Sequence, residues 1–349
     1  MIVFFGTGKY KKILIVIMVL ILLIGSLCFL KAFHRNSPGT PLAFYDKTEA
    51  DVIFLEQNIG GYPRQKVEEI VVAKLGEWQV NPIDALYDPT TNCIVPEIWG
   101  YRANAAETVE KIISAAAGEK VFPVLEPLFP EVNIADYPSA LIERGNPVKK
   151  EISFMVNVAW GTEHVKPMLD VLEKEEVPAN FFVVGRWAKE NEDLLREMAE
   201  KGHLLGNHGH TDSVVYTQLS PQEIESGLKE VNGVVQTLTG KTPLFFTPHK
   251  GEYNKLVLEA VARENMRTVL WSLDTVDWDL PGVESMKSRV LDNLHNGAII
   301  LMHPTEDTVT FLKESIPVIK KQGFSIVTLT QLFNPDYPQV GFALDDLDE

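Results

Sequence analysis

Five short clusters of polar and aromatic residues carry the side chains that could do chemistry in this sequence. Each cluster falls where an apolar, strand-like run ends. The clusters are residues 156–161, 206–212, 246–254, 271–278 and 300–303. Parallel strands present their carboxyl ends on one side of a sheet or barrel, and chemistry gathers there. We therefore expect the five clusters to converge on one site.

The second cluster places possible metal ligands at alternate positions. His208, His210 and Asp212 follow one another along a predicted loop. Imidazole and carboxylate groups both bind zinc and similar ions. The pattern predicts a metal site formed by His208 and Asp212, with His210 or Asn157 as a third ligand. A solvated polar loop without metal is the alternative interpretation.

Regular alternation of strand-like and helix-like segments supports this convergence. The predicted strands are 152–158, 180–184, 203–206, 244–246, 268–271, 298–302 and 325–328, and the clearest helices are 163–173, 186–201 and 221–238. Such alternation is typical of a parallel sheet with crossover helices. About seven units in residues 150–333 predict an α/β fold, specifically a compact, distorted (β/α) barrel.

An apolar run at residues 13–30 contains no charged side chain. As a helix it would be about 27 Å long, close to the hydrocarbon thickness of a bilayer. Lysines at 9, 11 and 12 favour a cytoplasmic N-terminus over 1–12 and an extracytoplasmic remainder. The run does not end in the small residues of a signal-peptidase site, so we predict an uncleaved, single-pass anchor at 13–31 in the cell membrane.

The chain between the anchor and the barrel is predicted to contain a linker and a small domain. Residues 32–50 are rich in turn formers, and 51–140 contain two amphipathic helices and a strand-like run, which predict an α+β segment. The order of elements over 95–132 resembles the peptidoglycan-binding module of VanW-type proteins, and a simple α+β spacer is the alternative. The acidic tail at 334–349 is expected to be disordered.

The overall charge excludes one class of partner. The 349-residue chain has a formal net charge of −16, which would repel the phosphate backbone of nucleic acids. Cys28 lies inside the apolar run and Cys93 stands alone in the remainder, so neither an internal disulfide nor a thiolate metal site is expected.

In order and spacing, the five clusters resemble the motifs of the NodB-type polysaccharide deacetylases, carbohydrate esterase family 4. The similarity spans about 185 residues, and the Trp160–Gly161 pair of the first cluster resembles the sporulation-associated branch. The family removes acetyl groups from N-acetylglucosamine or a related sugar with the help of a divalent metal. The resemblance therefore implies cell-wall glycan as the partner and zinc, cobalt or manganese as the cofactor.

The resemblance also assigns a general acid. His303 occupies the position of the histidine that protonates the leaving amine, and Asp277 with Trp278 occupies the position of its supporting pair. The alternative is a histidine at the edge of the core, held by Asp277 or Asp274. Both interpretations predict the same hydrogen bond.

Several catalytic positions of the family are substituted. The position of the general base holds Asn157, whose amide cannot accept a proton at neutral pH. The position of the metal-binding aspartate holds Val158, and the position of the orienting arginine holds Thr247. The first metal histidine is retained as His208, whereas the second is Asp212. Hydrolysis would need a recruited base, for which Glu163 and Asp212 are the candidates.

The first, third and fourth clusters suggest a glycan-binding groove. The predicted substrate-binding residues are Trp160, Trp278, Pro248 and Gly251. Aromatic faces pack against the apolar faces of sugars, although packing inside the barrel is the alternative and is preferred for Trp271. His249 and Lys250 are expected at the surface.

Three functions are consistent with these residues. The chain is either a membrane-anchored de-N-acetylase of cell-wall glycan, or a catalytically silent glycan-binding protein, or a scaffold whose two ectodomains place partners at the wall or spore coat. The retained histidine acid favours the first function. The missing base favours the second more strongly, because loss of a general base commonly costs about 10²–10⁴-fold in rate.

Overall fold

The computed structural model describes residues 47–335. The predicted N-terminus at 1–12, the anchor at 13–31, most of the linker and most of the acidic tail lie outside these residues. Within residues 47–335, no helix is long and apolar enough to cross a membrane. Cys93 is a free thiol, and Cys28 lies outside the described part.

The described chain forms two compact units. The smaller unit contains residues up to 77 together with 103–124, and the larger contains 78–102 and everything from 125 onward. The segment predicted as one small domain over 51–140 is thus divided between them. Its middle and its end fold with the larger unit.

The smaller unit is a helix pair beside a short sheet. Its elements are helices α1 (Arg64–Lys74) and α2 (Ala105–Ser114) and strands β1 (Ile53–Phe54), β2 (Gln57–Asn58) and β6 (Lys120–Val121). Helix α2 begins where the Asn104 side chain accepts a hydrogen bond from the Glu107 amide at 3.1 Å, a favourable N-cap. Strand β1 pairs antiparallel with β2 and parallel with β6. Both helices expected in this region are therefore present.

The larger unit is built on a parallel sheet of eight strands. These strands are β8 (Glu151–Val158), β9 (Asn180–Val183), β10 (Leu204–Asn207), β11 (Phe245–Phe246), β12 (Arg267–Thr268), β13 (Leu273–Asp274), β14 (Ile299–Met302) and β15 (Ser325–Ile326). Their order is β12-β11-β10-β9-β8-β14-β13, and β15 pairs with the start of β8. The predicted α/β class is confirmed, and the sheet curls into a half-barrel.

Four short strands precede this sheet in the larger unit. They are β3 (Leu86–Asp88), β4 (Cys93–Val95), β5 (Gly100–Ala103) and β7 (Leu125–Leu128). They form two separate pairs, β3 with β4 and β5 with β7.

Helices connect the strands of the curled sheet. They are α3 (Thr162–Lys174), α4 (Gly185–Glu190), α5 (Glu192–Glu200), α6 (Pro221–Thr239), α7 (Lys255–Arg263), α8 (Val283–Leu291), α9 (Glu306–Lys321) and α10 (Leu329–Leu332). The single helix predicted over 186–201 was wrong, because Asn191 interrupts it. Asn191 has non-helical dihedral angles (φ −132°, ψ 48°), and its side-chain amide donates to the Trp187 carbonyl at 2.9 Å.

Strand β8 lies at the centre of the core and separates it into two layers. Phe154, Val156 and Val158 belong to the apolar cluster that includes residues of α3 and α9. Met155 faces a second cluster on the other side of the sheet. Burial on both faces is typical of a central parallel strand, and it places Val158 in apolar surroundings.

His203 is a buried histidine at the amino end of strand β10, and the clusters lie at the other ends of the strands. It makes the stability of the fold depend on pH. The Nδ1 atom of His203 accepts a hydrogen bond from the Ala179 amide at 3.1 Å. The other ring nitrogen is buried without a partner. Burial lowers the pKa of His203 to about 4, whereas an exposed histidine in the unfolded chain has a pKa of about 6.5. The unfolded chain therefore binds more protons, and stability is lost as pH falls through this range.

Between pH 7 and pH 4, we expect the free energy of unfolding of the natural protein to fall by about 3 kcal/mol more than that of the His203→Asn variant. Asparagine keeps an acceptor near the Ala179 amide but does not titrate in this range. The measurement is the free energy of unfolding in urea at a series of pH values. Parallel pH profiles for the two proteins would contradict the assignment to His203.

Candidate active site

A cleft of about 480 Å³ lies at the carboxyl ends of the central strands. Six residues singled out from the sequence line it, namely Asn157, Trp160, His208, Asp212, Trp278 and His303. Because these residues come from the first, second, fourth and fifth clusters, and His249 of the third lines the same cleft, the expected convergence is observed.

The general-acid side of the cleft is fully assembled. The Nδ1 atom and the backbone amide of His303 donate to the two carboxylate oxygens of Asp277, at 2.8 and 2.6 Å. The Thr308 hydroxyl, in the first turn of α9, donates to the same carboxylate at 2.6 Å. Asp277 is completely buried. This arrangement fixes the orientation of the imidazole and its Nδ1-protonated tautomer, so that Nε2 is free to exchange a proton.

Asp277, rather than Asp274, is the partner of the histidine. Asp274 lines the cleft and accepts a hydrogen bond from the Val276 amide at 2.7 Å. Burial raises the pKa of Asp274 above its usual range. The sequence left both aspartates open, and the two-residue turn between them decides which one faces His303.

Two tryptophans form the mouth of the cleft. Trp160 stacks on the His303 ring, with centroids 5.6 Å apart and planes within 8°. It is 42% exposed, and Trp278 is 57% exposed. Large exposed indoles in a concave site are suited to bind the flat faces of sugars. Trp271 also lines the cleft and packs partly against the core.

Two other predicted substrate-binding residues are not among the side chains that line the cleft. Pro248 precedes a short turn over His249–Gly251. Gly251 has a φ of 69°, and a side chain there would approach the Trp271 ring at 3.2 Å. Both residues shape the third cluster without facing the cleft.

His249 was expected at the surface, and this was wrong. It is 9% exposed, and its ring lies 4.1 Å from that of His208, measured between centroids. Lys250 has a left-handed backbone (φ 57°), which turns His249 inward and leaves Lys250 exposed at the rim. Burial lowers the pKa of His249 below its usual range.

His208 lies on the floor of the cleft and is 4% exposed. Its Nδ1 atom donates to the Thr247 carbonyl at 2.8 Å. Burial lowers the pKa of His208 well below its usual range. The ring is therefore neutral near pH 7, with an unprotonated Nε2 atom.

The substituted positions leave polar atoms without partners. The Asn157 Oδ1 atom and the Thr247 hydroxyl are both buried with no hydrogen-bond partner. Asn157 faces the cleft, whereas its neighbour Val158 is fully buried in the apolar cluster behind the sheet. Neither residue offers a carboxylate to the cleft.

Two further sequence candidates do not reach the cleft. The Nδ1 atom of His210 lies 3.3 Å from the Glu230 carboxylate on α6. Glu163 is 75% exposed on its side chain and lies 3.7 Å from His164. Neither residue is among those that line the cleft, so the structure does not support His210 as a third ligand or Glu163 as a substitute base.

The donor set does not match a protein metal site. Of the predicted ligands, His208, Asp212 and Asn157 line the cleft, and an asparagine oxygen is a weak ligand for zinc compared with imidazole or carboxylate. Across residues 47–335, no group of three or more His, Cys, Asp or Glu side chains is arranged to hold a metal ion. The residues present therefore do not fit the divalent metal on which the resembled family depends.

Comparison with known proteins agrees with the fold and the site. The sequence profile described as "Polysaccharide deacetylase" matches residues 144–269. "Uncharacterized protein YlxY" of Bacillus subtilis is 33% identical over 266 residues, which cover 76% of this chain and 83% of that protein. "Peptidoglycan-N-acetylmuramic acid deacetylase PdaA" of the same species is 31% identical over 193 residues, which cover 54% of this chain and 73% of PdaA.

Solved structures show the same architecture. A wild-type CE4 family pseudoenzyme from Bacillus anthracis superposes with a TM-score of 0.66 at 28% identity, over 78% of this chain and 96% of that chain. A mutant CE4 pseudoenzyme with restored enzymatic activity gives the same TM-score and identity. This chain therefore belongs to the NodB-type polysaccharide deacetylases of carbohydrate esterase family 4. Because the chain is similar to both a deacetylase and a pseudoenzyme, the substituted residues of the cleft are the features that bear on whether it is active.

Proposed function

We propose that this protein binds cell-wall glycan in its deacetylase cleft without hydrolysing it. The observation that carries the proposal is Asn157, which occupies the position of the base and presents a buried amide oxygen without a partner. An amide cannot accept the proton of an attacking water at neutral pH. The next position holds Val158, which is buried in the apolar cluster and has no carboxylate to offer.

The remaining parts of the cleft are suited to binding. Trp160 and Trp278 present exposed indole faces at its mouth, and polar atoms line its floor. Two related peptidoglycan and chitooligosaccharide deacetylases, PdaA and the Rhizobium leguminosarum enzyme, are 31% and 34% identical to this chain, which supports an N-acetylated glycan as the ligand. We further propose that the segment 13–31 holds the protein at the cell membrane with its folded units outside. A role in sporulation and peptidoglycan binding by the segment 51–140 stay predictions.

Binding is tested with the full chain on insoluble peptidoglycan and with soluble N-acetylglucosamine oligomers. We expect Trp278→Ala and Trp160→Ala each to weaken binding by about tenfold, because each removes a stacking surface. The matched control is Val318→Ala, which shortens an apolar side chain that is 39% exposed on α9 and lies outside the residues lining the cleft. Equal retention of all four proteins on the wall, or no retention at all, would contradict glycan binding in the cleft.

Residual hydrolysis is the second candidate function. The intact hydrogen bonds among His303, Asp277 and Thr308 favour it, because they are the geometry that a general acid needs. Asp212 is the one recruited base candidate that lines the cleft. Release of acetate from N-acetylglucosamine oligomers by the natural chain, abolished by Asp212→Asn, would favour this candidate over binding alone.

A further inference from the structure

Lys250 lies at the rim of the cleft with an ammonium group that no described residue neutralises. It lines the cleft, it is exposed to solvent, and among residues 47–335 it has no ion-pair partner. From this group we infer that the cleft selects wall glycan that carries a carboxylate on its 3-O substituent, the position of the lactyl ether in muramic acid. The inference rests on the proposed glycan-binding function and names the chemical class of its ligand.

The backbone conformation at Lys250 is unfavourable for a lysine. Its dihedral angles (φ 57°, ψ 11°) are left-handed, a region that glycine, asparagine and aspartate adopt more readily. Any of these residues would make the same turn and bury His249 with less strain. Strained backbone positions occur at functional sites, where the side chain that they place has a role. We therefore attribute the lysine to its ammonium group and not to the turn.

The other charged groups of the cleft restrict where an anion can bind. Asp212 and Asp274 line the cleft, and each repels a ligand carboxylate that approaches it. Asp274 is half-buried, and it accepts a hydrogen bond from the Val276 amide at 2.7 Å. Lys250 is the one lysine or arginine among the described residues that line the cleft. A carboxylate is therefore favoured at the exposed ammonium and disfavoured deeper in the cleft.

The tryptophans at the mouth direct ring substituents of a bound sugar toward the rim. Trp160 and Trp278 present exposed indoles, which pack against the faces of a sugar ring. An equatorial 3-O substituent then points outward in the plane of that ring. A lactyl carboxylate there can accept a charge-assisted hydrogen bond from Lys250, whereas the hydroxyl of plain N-acetylglucosamine can accept only a weaker one. Since only alternate sugars of peptidoglycan carry the lactyl group, Lys250 would also set which sugar occupies the cleft.

The experiment measures binding of three tetrasaccharides to the full chain by calorimetry. The first has two repeats of N-acetylglucosamine and N-acetylmuramic acid with free lactyl carboxylates, the second is the same molecule with these groups converted to primary amides, and the third is the tetramer of N-acetylglucosamine. We expect the acid to bind about tenfold tighter than the amide or the third ligand. This preference should be largest at about 0.05 M salt and smaller at about 0.5 M. The net charge of −16 opposes it, so a preference for the acid requires a local cation.

Variants of Lys250 separate its charge from its backbone. Lys250→Met should abolish the preference and leave binding of the amide unchanged, whereas Lys250→Arg should retain the preference. Lys250→Asn suits the left-handed backbone, so it should abolish the preference while raising the melting temperature. The matched control is Lys241→Met, which removes an exposed lysine outside the residues lining the cleft and should change nothing.

A fourth ligand identifies the source of the carboxylate. It carries stem peptides on its lactyl groups, so that the remaining carboxylates belong to the peptides. Binding as tight as that of the acid, lost in Lys250→Met, would assign the recognised group to the peptide. Binding like that of the amide would assign it to the free lactyl ether. Both results uphold recognition of a carboxylate on the 3-O substituent.

The other outcomes overturn the inference and can be told apart. Equal binding of the acid and the amide by the natural chain would exclude selection for a carboxylate and leave glycan binding in the cleft intact. Absence of binding by all four ligands would contradict the proposed function as well. A preference that survives in Lys250→Met, or that Lys241→Met reduces equally, would belong to another group. Loss of amide binding together with acid binding in Lys250→Met would show that Lys250 only supports the turn.

Discussion

Replacing Asn157 and Val158 by aspartate and Thr247 by arginine is expected to produce metal-dependent release of acetate where the natural chain releases none. The rate should be at least about 10²-fold above the background measured with the natural protein, since a general base contributes about 10²–10⁴-fold. The expectation follows from the intact acid side of the cleft, where His303 is already held by Asp277. His208 and Asp212 line the cleft, and a carboxylate at 158 would become a third metal ligand by leaving the apolar cluster behind the sheet and turning toward them. The measurement is acetate release from chitin oligomers and peptidoglycan, with zinc, cobalt or manganese added.

Position 158 provides an independent readout of this repair. Val158 packs in the apolar cluster behind the sheet, where an unpaired carboxylate would be destabilising. Zinc should therefore raise the melting temperature of the triple variant and not that of the natural chain. Adding His303→Ala to the triple variant is the control, and it should remove the gained activity while the zinc effect persists. Acetate release by the natural chain at a rate equal to that of the triple variant would contradict the binding proposal.

Asp277→Ala is expected to lower the free energy of unfolding by about 3–5 kcal/mol, the largest effect on stability that we predict. The carboxylate is completely buried and accepts three hydrogen bonds, two from His303 and one from Thr308. Its removal leaves all three donors unsatisfied in the interior. The measurement is chemical denaturation monitored by circular dichroism.

Asp279→Ala is the matched control for this prediction. Asp279 lies in the same short turn, Asp277–Asp279, but its side chain is exposed. Its loss should change stability by no more than about 0.5 kcal/mol. Comparable destabilisation by the two variants would mean that the turn itself, rather than the buried carboxylate, is the sensitive feature.

The sequence predicted the strand-end clusters well because each depends on local pattern. Apolar runs of strand length form the parallel sheet. The sheet brings the carboxyl ends of the strands together, and this does not depend on the conformations of the loops. Strand β8 is an example, since the predicted 152–158 differs from the observed Glu151–Val158 by one residue. The direction of alternate side chains in a loop is not fixed in this way. His208 and His210 therefore look equivalent in the sequence, although only His208 lines the cleft.

Two other differences have similarly local causes. His249 is buried because Lys250 adopts a left-handed backbone. This conformation is uncommon for lysine and cannot be predicted from its residue type. The break at Asn191 depends on a side-chain bond to the Trp187 carbonyl, and asparagine competes with the helix in this way only in some contexts. Both features required the neighbouring structure to be known.

The buried carboxylate of Asp277 also bears on how such chains evolve. Through Thr308 it ties the first turn of α9 to the loop that carries His303, so one group serves both the acid and the packing of the fold. Selection for a stable fold would then retain the Asp277 carboxylate, and with it the orientation of His303, after selection for catalytic activity had ceased. The base position, which holds Asn157, makes no comparable contribution to the packing of the fold. When activity is lost, substitutions are therefore expected first at the position of the general base. An intact pair such as Asp277 and His303 is then a weak indicator that a member of this family is an enzyme.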